Sequence, residues 1–296
     1  MTDNIEIISE SIKQLSDYKQ FKKLCYQPKE GMALPSTDAL AEVVQLCRAA
    51  LFPGYFGQPA INSHTIKYHI GVTVERLYQL LTEQITAGLC FTDSKNCSPN
   101  EAIDLTVNLI ARLPHIREIL SSDVEATFLG DPASQSLGEV IFCYPAIRAV
   151  GNYRIAHELL MLGVPLIPRI ITEMAHSETG IDIHPGAVIG KAFTIDHGTG
   201  IVIGETAVIG NNVKLYQGVT LGARSFALNE QGKPIKGILR HPVLEDDVIV
   251  YANSTILGRI TIGKGAIIGG NTWVDHDVPA GAKIVQGKNN QPARDL

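Results

Sequence analysis

Between Ile181 and Gly204 the chain reads IDIHPGAVIGKAFTIDHGTGIVIG, with Asp182, His184, Asp196 and His197 among aliphatic and glycine residues. His197 is the central candidate for chemistry. A histidine titrates near neutral pH, so one ring nitrogen held by a carboxylate leaves the other as a general base. On a structural repeat of about eighteen residues, the slot one turn before His197 is position 179. Asp182 is three residues from that slot, which predicts that Asp182 and His197 share an edge. A corner histidine can also serve only to hydrogen-bond the backbone, and on these residues alone the two readings stand side by side. Downstream, Arg240-His241 offers a guanidinium suited to two-pronged capture of a carboxylate, or simply a solvated charge. Asp131 precedes a proline, which is common in turns, and His184 before Pro185 reads as structural. His64 and His69 fall in a helical segment and receive no role. No Gly-rich phosphate loop, Ser-His-Asp arrangement or strong metal motif is present.

The elements that must carry these residues announce themselves by period. Aliphatic residues recur every six positions at Ile183, Ile189 and Ile195. After a two-residue shift they resume at Ile203, Ile209, Leu215 and Leu221, and then run from Leu244 through Val250, Ile256, Ile262, Ile268, Val274 and Ala280. Four residues after most anchors stands a small or β-branched residue, Thr199 included. Neither a helix nor a simple strand has this spacing; a hexapeptide repeat is the signature of a parallel β-helix. The period is absent from 223–239, read as a loop that leaves the prism at a corner and returns at Arg240-His241-Pro242.

Residues 1–180 read as an α-helical domain, with helical spacing over Ile5–Cys25, Ala39–Leu51, Ile66–Leu89 and Ala102–Leu120. Ser36 and Ser98-Pro99 are candidate helix starts. Two further helices are expected either side of Gly163-Val164-Pro165, ending at Gly180. The first coil of a β-helix exposes strand edges and an apolar cross-section, so the helical half is expected to cap it. The β-helix domain is expected over 181–287, followed by a polar tail, 288–296.

The 296 residues carry a net charge of −5. Of the 25 basic residues 11 lie from Ile181 onward, against 10 of the 30 acids, so the acidity is N-terminal. That is no footprint of nucleic-acid binding, and no apolar run is long enough for a membrane span. The polar, acidic N-terminus lacks the marks of a targeting peptide. Five scattered cysteines read as reduced thiols of a cytoplasmic protein.

At Asp131-Pro132-Ala133, Tyr153-Arg154-Ile155-Ala156-His157, Asp182-Ile183-His184-Pro185, the string from Asp196-His197 to Ile209, Gly218–Gly222 and Arg240-His241-Pro242, the chain resembles serine O-acetyltransferases. These hexapeptide-repeat enzymes make O-acetylserine for cysteine synthesis. The resemblance covers about 130–287. It implies a helical domain followed by a left-handed parallel β-helix, and transfer of acetyl from acetyl-CoA to L-serine without a metal. It implies that His197 is the base and Asp182 its orienter, with His241 counted in the catalytic set. Asp131 and Asp196 hold the substrate ammonium; Arg240 and His241 hold its carboxylate. Gly222, Ala223 and Ala252 line the cofactor channel. It further implies a homotrimer or dimer of trimers with sites between subunits, and L-cysteine as feedback inhibitor. O-Acetylserine sulfhydrylase is the family's tail partner, but Leu296 replaces the usual terminal isoleucine, which predicts weak or absent association. Gly222-Ala223 replaces the usual Gly-Gly, and the loop to Arg240 is longer than in well-known members.

Other readings are a hexapeptide acetyltransferase for a sugar or other small alcohol, a zinc-dependent β-helix carbonic anhydrase, and a non-catalytic trimeric scaffold. A neutral sugar needs no zwitterion clamp, the anhydrase needs three converging histidines, and a scaffold has no use for His197.

Overall fold

The computed structural model describes residues 2–22, 24–26, 34–57, 61–92, 98–225 and 228–286. The last ten residues, with Leu296, lie outside them.

Among the described residues eight helices come first: α1 Thr2–Leu15, α2 Tyr18–Phe21, α3 Thr37–Leu51, α4 Ile66–Thr92, α5 Pro99–Gly130, α6 Leu137–Cys143, α7 Pro145–Met161 and α8 Ile167–Thr179. Ser36 caps α3 by accepting from the Ala39 N–H at 3.2 Å. Pro99 occupies the first turn of α5, where its missing N–H costs nothing. α5 runs ten residues beyond the expected Leu120, through Pro114, because buried Leu113, Ile116, Leu120 and Val124 keep its inner face packed. α1 stops short of the expected Cys25, where Asp17 accepts from Lys19 N–H and starts the single turn of α2. Gly180 ends α8 in the left-handed conformation, φ 71°, with its N–H on His176 O.

Fourteen short strands follow among the described residues, in three parallel sheets. The first holds β1 (Asp182–Ile183), β4 (Val202–Ile203), β7 (Thr220–Gly222), β10 (Thr255–Leu257) and β13 (Trp273–Val274). The second holds β2 (Val188–Ile189), β5 (Val208–Ile209), β8 (Val243–Leu244) and β11 (Thr261–Ile262). The third holds β3 (Thr194–Asp196), β6 (Lys214–Tyr216), β9 (Ile249–Val250), β12 (Ile267–Ile268) and β14 (Lys283–Ile284). The chain visits the sheets in turn, so every expected anchor from Ile183 to Val274 stacks in the buried interior. Ala280 does not: it is exposed, and Ile284 pairs with Ile268 in its place. Thr199 is exposed as well.

The two-residue shift has a structural meaning. The first coil is 20 residues long, pairing Asp182 with Val202 and Thr194 with Lys214. The next is 18, pairing Val202 with Thr220. The extra pair widens the corner between β3 and β4. There His197, Gly198 and Gly200 all take positive φ, at 57°, 95° and 80°. A Cβ on Gly198 would sit 2.5 Å from Ile181 Cδ1, so that position must stay glycine.

The helices cap the first coil through the carbonyls it leaves free. Tyr153 Oη donates to Ala187 O at 2.6 Å, and Arg154 donates to Ile189 O and Gly190 O, each at 2.6 Å. Arg154 also pairs with Asp123 at 3.1 Å, and Asp123 accepts from Phe193 N–H at 2.9 Å. Arg154 and Asp123 are both buried, so the pair satisfies edge groups and each other. The Tyr153–His157 string thus joins helix to β-helix, with His157 Nδ1 2.8 Å from Pro185 O.

The 223–239 stretch leaves the first sheet after β7 and returns before β8, with a small antiparallel bridge between Leu228 and Pro234. Cys25 and Cys143 are free and exposed and Cys47 is free and buried. Cys90, at the end of α4, is disulfide-bonded, which corrects the expectation of reduced thiols throughout.

Candidate active site

His197 projects from the widened corner, its side chain 76% exposed. It lines a cavity of about 520 Å³ between the end of α5, the α6–α7 junction and the outer edge of β3 and β6. Asp131, Tyr144, Asp196, Thr199 and Lys214 share that cavity. Asp196 Oδ1 lies 3.7 Å from His197 Nε2, and Asp196 Oδ2 lies 3.2 Å from Lys214 Nζ. Asp131 accepts from Tyr144 Oη at 2.6 Å and from the Ala133 N–H at 2.8 Å. The Tyr144 hydrogen bond, then that N–H, hold the Asp131 carboxyl below its ordinary range, with the Lys214 and His197 charges adding to them. The same bond pushes the Tyr144 hydroxyl up to about 12. The result is an imidazole beside two carboxylates, an arrangement that can receive an ammonium and remove a proton from a neighbouring hydroxyl.

Asp182 is not part of this cluster within one chain. Its carboxylate faces α8, within 4.8 Å of ligand atoms on Glu173 and His176, and no hydrogen bond or ion pair to His197 exists among the described residues. The expected stacking assumed an eighteen-residue coil. The actual coil of 20 puts position 177, in α8, one turn before His197. Glu173, His176 and Asp182 are also the described residues that could most readily hold a metal. Glu173 is already engaged by Arg169 at 2.5 Å and His176 at 3.3 Å.

Arg240 and His241 sit at a different corner, where the chain passes from the first sheet to the second. The Arg240 side chain donates to Glu205 Oε2 at 2.6 Å, and that bond holds the Glu205 carboxyl down. His241 Nδ1 accepts from the Thr206 N–H at 3.0 Å. The neutral ring therefore carries its proton on Nε2 and is a hydrogen-bond donor there. Burial, reinforced by Arg240, pushes His241 down to about 4. Its ring lies on Gly204, where any Cβ would collide with it. Arg240 lines its own groove of about 370 Å³ with Arg224, Leu239, Arg259 and Asp275.

Gly222 ends β7 and a Cβ there would meet Leu257 Cδ2 at 2.8 Å; Ala223 follows it, half-buried, at the start of the loop. Ala252 occupies the corner column of His197 in the third coil, accepting from Asn271 N–H. The structure thus gathers Asp131, Asp196 and His197 in one place, Arg240 and His241 in a second, and Gly222, Ala223 and Ala252 along the prism.

Residues 241–276 match the bacterial transferase hexapeptide family model of six repeats. A plasmid-borne serine acetyltransferase of Synechococcus elongatus is 51% identical over 261 residues, 86% of this chain and 82% of that one. The chain belongs to the serine acetyltransferase family. As a serine acetyltransferase it moves an acetyl group from acetyl-CoA to serine, giving O-acetylserine. Serine acetyltransferase 1 of Entamoeba histolytica, solved with L-cysteine, matches with a TM-score of 0.74 and 34% identity over 93% of this chain and 94% of that one. The Neisseria gonorrhoeae serine acetyltransferase, solved with serine, gives 0.56 and 25% identity over 88% and 99%. The serine acetyltransferase reading therefore stands over the sugar, anhydrase and scaffold alternatives.

Two side chains of the cavity escaped the sequence reading. Tyr144 lies in no motif. Lys214 was legible in principle: a 20-residue coil places it beside Thr194, two residues from Asp196.

Proposed function

We propose that serine acetylation here runs on His197 as general base in a site completed by a second copy of the chain. Asp131 and Asp196 receive the serine ammonium. His197 takes the proton from serine Oγ as that oxygen attacks the thioester carbonyl of acetyl-CoA. The tetrahedral oxyanion collapses with cleavage of the C–S bond, and the CoA sulfur takes the proton back from His197, so O-acetylserine and CoA leave without net proton change. The observation that carries this reading is the widened corner, which spends two residues beyond the repeat to set His197 against two carboxylates in an open cavity.

Arg240 and His241 supply the carboxylate clamp: a guanidinium and a neutral Nε2–H donor. They lie at another corner of the same prism, so a neighbouring copy's Arg240 corner completes the His197 site. A closed trimer uses each interface once in this way. Asp182 faces α8 within its own chain, and its orienting role falls to Asp196. Gly222, Ala223 and Ala252 have side chains small enough for the pantetheine arm of CoA to pass close to their backbone. L-cysteine carries the same ammonium and carboxylate as serine, and it occupies the same clamp as a competitive inhibitor.

The test is acetyl-CoA consumption with serine, homoserine, threonine and simple sugars, for the natural chain and for His197→Asn. Loss of a general base lowers turnover roughly 10²–10⁴-fold, and serine is the expected acceptor. Near-normal turnover by the variant would show that another group is the base.

A further inference from the structure

Lys214 is held more tightly than a surface lysine needs to be. Its ammonium donates to Gly130 O at 2.9 Å, lies 3.2 Å from Asp196 Oδ2 and sits 4.9 Å from the Tyr216 ring centroid. Tyr216 is itself stacked on Tyr251, with centroids 4.9 Å apart and planes 15° from parallel. The Lys214 side chain is only 20% exposed. Burial works against its charge, yet the Tyr216 hydroxyl and Asp196 outweigh it and raise the ammonium above the ordinary lysine value.

The two ends of this contact are the two halves of the cavity. Gly130 closes α5 and immediately precedes Asp131, while Asp196 immediately precedes His197. The carbonyl end of a helix attracts a cation, so α5 and the β3 edge converge on one ammonium. Capping of the first coil does not depend on it, because Arg154 and Asp123 already join the two parts.

We propose that Lys214 is a positioning residue for acetyl transfer: it holds Asp196 by one oxygen, leaves the other oxygen to His197, and fixes the spacing of Asp131 and Asp196. This rests on the reading of His197 as the base. The charged and titratable groups facing His197 are Asp196 beside it, Asp131 with its Tyr144 partner from the helical side, and Lys214 from β6. Without Lys214 the two carboxylates beside the imidazole lose the cation that Asp196 holds within the chain, which favours the protonated ring.

The experiment is the pH profile of kcat/KM for serine in Lys214→Met and Lys214→Arg. The methionine variant is expected to move the acid limb up by roughly 0.5–1 pH unit and to lose about tenfold in kcat/KM near neutral pH. The arginine variant restores both. Should the methionine variant fail to fold, Lys214→Gln keeps polarity without charge and gives the same comparison. An unmoved acid limb, or an arginine variant no better than methionine, overturns the proposal. His197→Asn measured alongside separates the failures. If that variant is inactive while the limb stays put, only the role of Lys214 is lost; if it is active, the base itself is misassigned.

Discussion

At the residue scale, the two histidines of the site are set apart by their surroundings. His197 stands in an open cavity beside carboxylates, whereas His241 is buried against Gly204 and beside Arg240. His241 is therefore neutral throughout the working range. The burial of His241 has a stability consequence whose sign follows from linkage. The unfolded chain takes up a proton on this histidine as pH falls through the ordinary value of 6.5, while the folded chain does so only at about 4. Stability present above 6.5 is thus lost progressively down to about 4 and levels off below it. Urea midpoints measured from pH 7.5 to 4.5 are expected to fall, with a shallower fall in His241→Asn. Some slope remains in that variant, because burial holds His184 down as well. An equal slope in both proteins would remove His241 from the account. A separate check on packing is Gly204→Ala, whose methyl group meets the His241 ring. Overpacking of this kind costs roughly 1–3 kcal/mol, read as a lowered urea midpoint.

At the element scale, the β-helix was legible because each coil must bury one aliphatic residue per face, and that demand writes a six-residue period into the chain. Ile183, Ile209 and Ile256 stand in the interior where the period put them. Even the slip in the period was visible, but its meaning was not: a widened corner and an untouched repeat differ only in backbone path. An eighteen-residue coil puts Asp182 on the edge of His197, and the 20-residue coil changes that stacking by two residues. Contacts between elements far apart in sequence left less trace. Lys214 against Gly130 and Tyr144 against Asp131 join helix to β-helix without any periodic signal. The Arg154–Asp123 pair is of the same kind, and it carries a prediction about the cap. Breaking a buried pair by removing one partner costs roughly 3–5 kcal/mol. Arg154→Met is expected to cost about that much, leaving Asp123 uncompensated and the Ile189 and Gly190 carbonyls without donors. Denaturant unfolding would show it, and a loss under about 1 kcal/mol would mean that the cap is held by packing instead.

At the scale of the whole molecule, the two halves of the proposed amino-acid clamp lie at different corners of one prism. A triangular prism with exposed Val188, Val202 and Trp273 on its faces can close that gap by packing beside copies of itself. Light scattering is expected to give at least a trimer. L-cysteine inhibition is expected to be competitive with serine and weaker in Arg240→Ala, as initial rates over a grid of both amino acids would show; inhibition indifferent to serine would place cysteine elsewhere. The most direct measurement mixes two inactive chains. His197→Asn and Arg240→Ala chains carrying different tags are co-expressed, and assemblies holding both tags are purified and assayed. If His197 of one copy works with Arg240 of the next, every mixed trimer holds one intact interface in about three, and activity of the doubly tagged assemblies returns to roughly a third of the natural level. Mixed assemblies as inactive as either parent would contradict the shared site, because a site built within a single chain leaves every copy with one lesion.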